Sequence, residues 1–164
     1  MIQLHAQPYN IDATGFYFET VEAYDARVAA CRDAFGCPVE EFEIQFIDGD
    51  DLEGELAAAM SLSQANMVRY LELIEDSDED ELTRLIIGLS EGYDLGTFDA
   101  DSIEIYEVEY LADLADQFID EGIYGEVPEN LRNYLDTEMM GRDLGYDGYV
   151  ETKVGGRRLI YRMQ

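Results

Sequence analysis

The chain has 164 residues, of which 38 are Asp or Glu and only 10 are Lys or Arg, giving a formal net charge of −28. A field this negative repels nucleic acids and anionic membrane surfaces, which excludes both as partners and indicates a partner with a basic surface. The hydrophobic fraction of 47% predicts a folded core rather than a disordered chain.

Cysteine usage and hydropathy indicate the compartment. Cys31 and Cys37 are the only cysteines, and no further ligand lies at metal-binding spacing, so the sequence predicts neither a disulfide framework nor a zinc site. There is no secretory leader and no apolar run of about 18 residues, the length that a membrane helix needs. We therefore expect a soluble cytoplasmic protein.

The first part of the chain has the pattern of a small α+β unit. Its helix is expected to begin after Thr20 and to end at Gly36. One face of that helix carries Val21, Tyr24, Val28, Cys31 and Phe35. Runs of alternating or β-favouring residues predict strands over 2–7, 16–19 and 41–47.

The remaining elements follow in chain order. The acidic stretch 48–55 is predicted to be a turn, and the section after it is expected to be all-helical. Gly155-Gly156 predicts the turn of a C-terminal hairpin. Helices are predicted over 63–75, 78–91, 110–121 and 128–136, with a further one through Leu144, and strands over 103–108, 146–152 and 157–163.

Negative charge is concentrated in most of the chain but not in its last part. Residues 1–131 contain 33 acidic and 4 basic side chains, a net of −29, whereas residues 132–164 contain 5 and 6, a net of +1. A salt-adapted cytosolic protein should spread its acids evenly, so this alternative is disfavoured.

The spacing of the carboxylates resembles that of a nucleic-acid backbone. The helix at 110–121 contains no Lys or Arg, and like charges three or four residues apart cost roughly 0.2 to 0.5 kcal/mol per pair. Carboxylates two residues apart on a strand stand roughly 6.8 Å apart, comparable with successive phosphates of one DNA strand. The carboxylates expected to bind the partner are Glu41, Glu43, Asp48, Asp50, Asp51, Glu53, Glu55, Glu72, Glu75, Asp76, Asp78, Glu79, Asp80, Glu81, Glu104, Glu107, Glu109, Asp113, Asp116, Asp120 and Glu121.

No motif indicates a metal, a cofactor or catalysis. The acidic clusters fail the EF-hand pattern, because Leu52 replaces a ligand in the first and Glu81 replaces the turn glycine in the second. His5 is the only histidine, and we interpret it as a strand-surface or core residue. We expect a binding protein without enzyme activity.

Tyrosine and methionine crowd the near-neutral last part of the chain. They fit either core packing or a subunit interface, where both residue types are enriched, and the sequence leaves the two alternatives open. Two copies of so acidic a chain could meet there with the least repulsion, so we expect a homodimer. The candidate interface residues are Tyr124, Tyr134, Met139, Met140, Tyr146 and Tyr149.

One segment of the chain has a recognisable succession of residues, Tyr124-Gly125-Glu126-Val127-Pro128-Glu129-Asn130-Leu131, Tyr134-Leu135-Asp136, Glu138 and Arg142-Asp143-Leu144. In these residues the chain resembles the ArdA antirestriction proteins of conjugative plasmids, transposons and phages. The resemblance implies an elongated α+β protein of three small domains that dimerises through the last of them and imitates bent B-form DNA. The domains are expected at 1–60 (α+β), 61–102 (helical) and 103–164 (α+β with the closing hairpin).

The resemblance also implies a partner, the methyltransferase core of a type I restriction-modification enzyme, whose DNA-binding groove the protein would occupy. The target within this enzyme class, and whether modification is blocked as well as cleavage, are not evident from the sequence. An acidic inhibitor or chaperone of another basic DNA-binding protein stays open as an alternative.

Overall fold

A computed structural model describes every residue from Met1 to Gln164. The chain is a mixed α+β protein with seven helices and two three-stranded antiparallel sheets, which confirms the predicted fold class. Its contacts divide it into two compact units, Met1–Phe98 and Asp99–Gln164. The expected boundary near residue 60 lies inside the first unit, and the three-domain division stays a prediction.

The first unit begins with a sheet covered by one helix. Its strands are β1 (Gln3–Pro8), β2 (Phe16–Phe18) and β3 (Phe42–Asp48), in the order β2-β1-β3, and the helix is α1 (Val21–Ala30). The side chains that alternate to one face are buried and pack as an aromatic cluster, with ring centroids 5.0 to 6.2 Å apart. The cluster consists of Phe16, Phe18, Tyr24 and Phe42.

Helix α1 ends earlier than predicted. Thr20 caps its start, as expected, but the helix stops before Cys31, and Phe35 is 80% exposed. Beyond the end of the helix, the Asp33 carboxylate accepts the backbone N–H groups of Phe35 and Cys37 at 2.9 and 2.8 Å. Such local hydrogen bonds stabilise a turn in competition with the helix, and they hold the pKa of Asp33 below its usual value.

The acidic stretch predicted as a turn is largely helical instead. Helix α2 (Asp51–Ala59) begins there because Asp50 and Glu53 form a capping box in which each side chain accepts the other residue's backbone N–H. Acidic residues also suit the positive end of a helix dipole. Two further helices, α3 (Met67–Asp76) and α4 (Glu79–Ser90), complete the unit.

The second unit places two helices on one face of its sheet. The strands β4 (Ile103–Tyr106), β5 (Tyr149–Val154) and β6 (Arg157–Met163) have the order β4-β6-β5. The core on this face consists of Leu114, Ala115, Phe118, Leu144 and Ile160. The helices are α5 (Leu111–Asp120), the short α6 (Glu129–Arg132) and α7 (Thr137–Tyr146), and a 3-10 turn spans Ala100–Ser102.

The predicted C-terminal hairpin is confirmed, with a later start. Its first strand was expected from residue 146, but Tyr146 is the last residue of α7. Gly155 and Gly156 form the two-residue turn, with Val154 opposite Arg157. Their φ angles of 57° and 75° are both positive, the conformation that a tight hairpin turn requires and glycine adopts without strain.

Candidate functional site

The carboxylates expected to bind a partner are almost all accessible. Only Glu53, Glu55 and Glu104 among them are partly buried, and the rest are exposed. The first unit contains 22 acidic and 4 basic side chains, a net of −18, and the second contains 16 and 6, a net of −10. Both units therefore present an acidic surface to a partner.

The most regular part of this surface is the outer face of α5. The helix is amphipathic, so burial of Leu114 and Phe118 against the sheet turns Asp113, Asp116 and Asp120 outward. Residues three or four apart on a helix stand about 5 to 6 Å from each other. We call these three carboxylates, together with Glu109, which lies just before the N-cap Tyr110, the α5 acidic row.

One carboxylate of the row has a cationic partner that the sequence does not indicate. Arg132 of α6 donates a hydrogen bond to Asp120, a contact that no local pattern could reveal. The hydrogen bond and the charge of Asp120 raise the pKa of Arg132 further above its usual value. Glu109, Asp113 and Asp116 make no ion pair, so three of the four carboxylates stay unneutralised.

The start of α5 depends on a carboxylate from elsewhere in the chain. Its N-cap residue, Tyr110, forms no side-chain cap. Instead, Glu151 of β5 accepts the backbone N–H of Leu111 at 2.8 Å. Glu151 was not among the expected functional residues, and its separation from Leu111 in sequence explains why sequence patterns do not reveal this contact.

Several other acids hold local structure. Asp50 and Asp78 cap the helices α2 and α4 by accepting a backbone N–H three residues ahead. Glu72 pairs with Arg69 at 3.3 Å, and Glu107 pairs with Arg157 at 3.6 Å. Local structure therefore accounts for these four carboxylates, all of which stay exposed.

The tyrosines and methionines proposed for a dimer interface fall into two groups. Tyr149 and Met140 pack against the core of the second unit. In contrast, Tyr134 and Tyr146 are 84% and 82% exposed, and Met139 is also exposed. Tyr124 is half-exposed, and its ring centroid lies 6.3 Å from that of Phe118.

Three further features concern metal binding, the single histidine and membrane-spanning helices. No group of three or more His, Cys, Asp or Glu side chains is arranged to hold a metal ion. His5 lies on β1, where its ring centroid is 4.7 Å from that of Tyr17. None of the helices combines the length and the apolar character needed to span a bilayer.

Comparison with known proteins gives one finding. The model of a family described as "Antirestriction protein (ArdA)" matches residues 12–157 of the chain. Individually curated proteins give no match. The family match covers both units, including the acidic surface and the tyrosine-rich region.

Proposed function

The chain belongs to the ArdA family of antirestriction proteins, and on that premise we propose that it is a DNA mimic that occupies the DNA-binding groove of a type I restriction-modification enzyme. Membership implies antirestriction activity and a role as an inhibitor. The observation that carries the finer proposal is the set of exposed carboxylates on both units, of which the α5 acidic row is the most regular part.

The amount of charge suits this role. Duplex DNA carries one charge per about 1.7 Å of its axis, so 28 charges correspond to roughly 48 Å of duplex. A groove that binds DNA is lined by Lys and Arg, and a field of this sign accelerates encounter with it. The proposal implies action in the cytoplasm, where incoming DNA meets the enzyme.

Inhibition by occupation requires no chemistry on the part of the inhibitor. We therefore propose that the protein has no catalytic activity and needs no metal or cofactor. Its affinity is summed over many contacts, because an exposed ion pair contributes about 0 to 1 kcal/mol. We also propose that two copies associate through the exposed side chains Tyr134, Met139 and Tyr146.

The proposal is tested by displacement of DNA. A labelled duplex is bound to the methyltransferase core of a type I enzyme, and the protein is added across a salt series. We expect displacement that weakens as salt rises, because the contacts are electrostatic. A parallel assay uses a basic nucleoid protein and a DNA glycosylase in place of the enzyme.

Two outcomes would contradict the proposal. One is a labelled duplex that stays bound to the type I core at every protein concentration. The other is displacement from the nucleoid protein or the glycosylase but not from the type I core, which would favour an inhibitor or chaperone of a different basic protein.

A further inference from the structure

The C-terminal hairpin has the opposite charge to the rest of the molecule. Strands β5 and β6 with their turn carry Lys153, Arg157, Arg158 and Arg162 but only one acid, Glu151, a net of +3 in a chain of net −28. Lys153 is the only lysine of the protein. The positive charge of the hairpin therefore does not follow from a role as part of the acidic surface.

Two of these cations face each other without a carboxylate between them. The register places Lys153 directly opposite Arg158, and like charges in this position destabilise a sheet. Both side chains are exposed, and neither makes an ion pair. The Arg158 guanidinium lies 5.6 Å from the centre of the Tyr110 ring.

Two acids of this region have other partners. Glu151, which lies two residues before Lys153 on the same face of β5, accepts the N–H of Leu111 at 2.8 Å. Glu107 pairs with Arg157 at 3.6 Å. In a chain with 38 acidic side chains, an exposed pair of adjacent cations without a carboxylate partner is unusual and leaves both free to bind an external anion.

The pair is held on a rigid support. Val154 and Leu159, which flank it along the two strands, are buried, and the two-residue glycine turn closes the hairpin directly beyond Lys153. The backbone beneath the pair therefore needs no ordering when a partner binds, and only the two side chains lose conformational freedom.

We propose that Lys153 and Arg158 dock onto carboxylates of the restriction enzyme beside its DNA-binding groove, an inference that rests on the proposed function. DNA has no cations, so a carboxylate at the margin of the groove repels DNA and attracts this pair. Specificity commonly combines one attractive and one repulsive element in this way. The hairpin thus gives the inhibitor a contact that its competitor lacks.

A nucleic acid is disfavoured as the occupant by the charge of the whole molecule, because its phosphates would enter a field of net −28. Carboxylates on an otherwise basic enzyme surface carry no such penalty. The second experiment below distinguishes carboxylates of the enzyme from those of a second copy.

The first experiment asks whether removal of the two cations strengthens or weakens binding to the methyltransferase core. The double variant Lys153→Gln/Arg158→Gln is more negative than the parent, so it should bind a basic groove more tightly if charge alone governs binding. We expect the opposite, about tenfold weaker binding to the methyltransferase core, because two exposed ion pairs are lost. Arg27→Gln is the matched control, since Arg27 is exposed, makes no ion pair and lies in the other unit.

Thermal unfolding of the double variant shows whether the fold persists, and we expect little change because removal of a repulsive pair offsets loss of the contact between Arg158 and Tyr110. Binding equal to or tighter than that of the parent would overturn the inference while leaving the proposed function intact. A parent protein that fails to displace DNA would contradict the proposed function itself.

The second experiment identifies the occupant through the single lysine. A carbodiimide joins lysine amines directly to carboxylates, and mass spectrometry maps the peptides joined to Lys153 in the complex with the methyltransferase core. We expect Asp or Glu of the enzyme. Links only to carboxylates of a second copy of this chain, or retardation of duplex DNA by the parent that the double variant abolishes, would overturn the inference.

Discussion

Two buried tyrosines of the first unit differ in whether their hydroxyl groups are satisfied. The Tyr70 hydroxyl donates to the backbone oxygen of Glu53 at 2.9 Å. The Tyr24 hydroxyl is buried without a hydrogen-bond partner. The nearby Gln64 amide bonds to the backbone of Glu40 and Phe42, and its interaction with the Tyr24 hydroxyl lowers the pKa of that group less than burial raises it.

Removing the two hydroxyl groups should therefore have different effects. We expect Tyr70→Phe to lower the free energy of unfolding by about 1 kcal/mol, because a buried hydrogen bond is lost. Tyr24→Phe should leave it unchanged or raise it, because a buried polar group without a partner is itself unfavourable. Urea denaturation of the two variants and the parent measures both effects, and an equal loss in the two would contradict the distinction.

The same tyrosines should make the stability of the folded protein depend on pH. Burial raises the pKa of both Tyr24 and Tyr70 above the usual value, so the folded state holds their protons more tightly than the unfolded state. Their contribution to stability is complete below a pH of about 10 and is lost as the pH rises further. The Tyr70→Phe variant should lose less stability than the parent on this alkaline side.

Elements with a strong periodic pattern could be predicted from the sequence. Strand β3 and helix α5 bury the faces that their apolar spacing indicates, and Gly155-Gly156 forms the expected turn. Two errors, the missed helix α2 and the late predicted end of α1, involve short polar side chains. Asp50 caps the start of α2 and Asp33 holds the turn that follows α1, and both roles depend on which backbone N–H the carboxylate reaches.

The exposure of the acidic residues was predictable to a similar extent. Exposure of the acids follows from helix and strand periodicity, which a sequence displays directly. The contacts that modify the surface join distant parts of the chain. Arg132 reaches Asp120 from another helix, Glu151 reaches Leu111 from a strand, and Lys153 meets Arg158 only through the strand register.

The packing of α5 against α7 depends on one glycine. A Cβ atom at Gly141 would lie 2.7 Å from the backbone of Leu111 and Ala112. Backbone atoms cannot rotate away as a side chain can, so the helices would have to separate. A Cβ atom at Gly145, on the same helix, would meet only the end of the Leu111 side chain at 3.4 Å.

We expect Gly141→Ala to lower the free energy of unfolding by about 1 to 3 kcal/mol, because overpacking outweighs the better helix propensity of alanine. The matched variant Gly145→Ala should be neutral or more stable by up to about 1 kcal/mol. Thermal or urea unfolding of the two variants decides the matter, and equal stabilities would show that the helix contact is not tight.

Replacing carboxylates of the α5 acidic row should weaken inhibition without lowering stability. The triple variant Glu109→Gln/Asp113→Asn/Asp116→Asn removes the three carboxylates that make no ion pair. It should weaken inhibition by about 0 to 1 kcal/mol per carboxylate and make it less dependent on salt. Stability should be unchanged or higher, because like-charge repulsion on the helix is relieved.

Asp120→Asn is the control within the same row, since Asp120 pairs with Arg132. The measurement is inhibition of a type I enzyme across a salt series, with each single variant beside the triple one. Loss of all inhibition on a single substitution, in a protein that still folds, would replace the distributed surface with a discrete site.

For the molecule as a whole, assembly and target binding should respond to salt in opposite ways. Two copies of net charge −28 repel each other, and salt screens that repulsion. The attraction between the acidic surface and a basic groove is screened by the same ions. Association of the protein with itself should therefore strengthen in conditions where its inhibition of the enzyme weakens.

We expect a dimer of the 18.6 kDa chain in solution, formed through the exposed side chains of Tyr134, Met139 and Tyr146. Apolar and aromatic groups with this exposure lose unfavourable contact with water when a partner covers them. Light scattering at micromolar concentration in physiological salt gives the mass directly. The double variant Tyr134→Glu/Tyr146→Glu should be monomeric, because it adds charge to the contact, whereas Tyr9→Glu, at a 67% exposed tyrosine of the first unit, should leave the dimer intact. A double variant that still dimerises would place the contact elsewhere. A monomeric parent would show that the protein binds its target without dimerising.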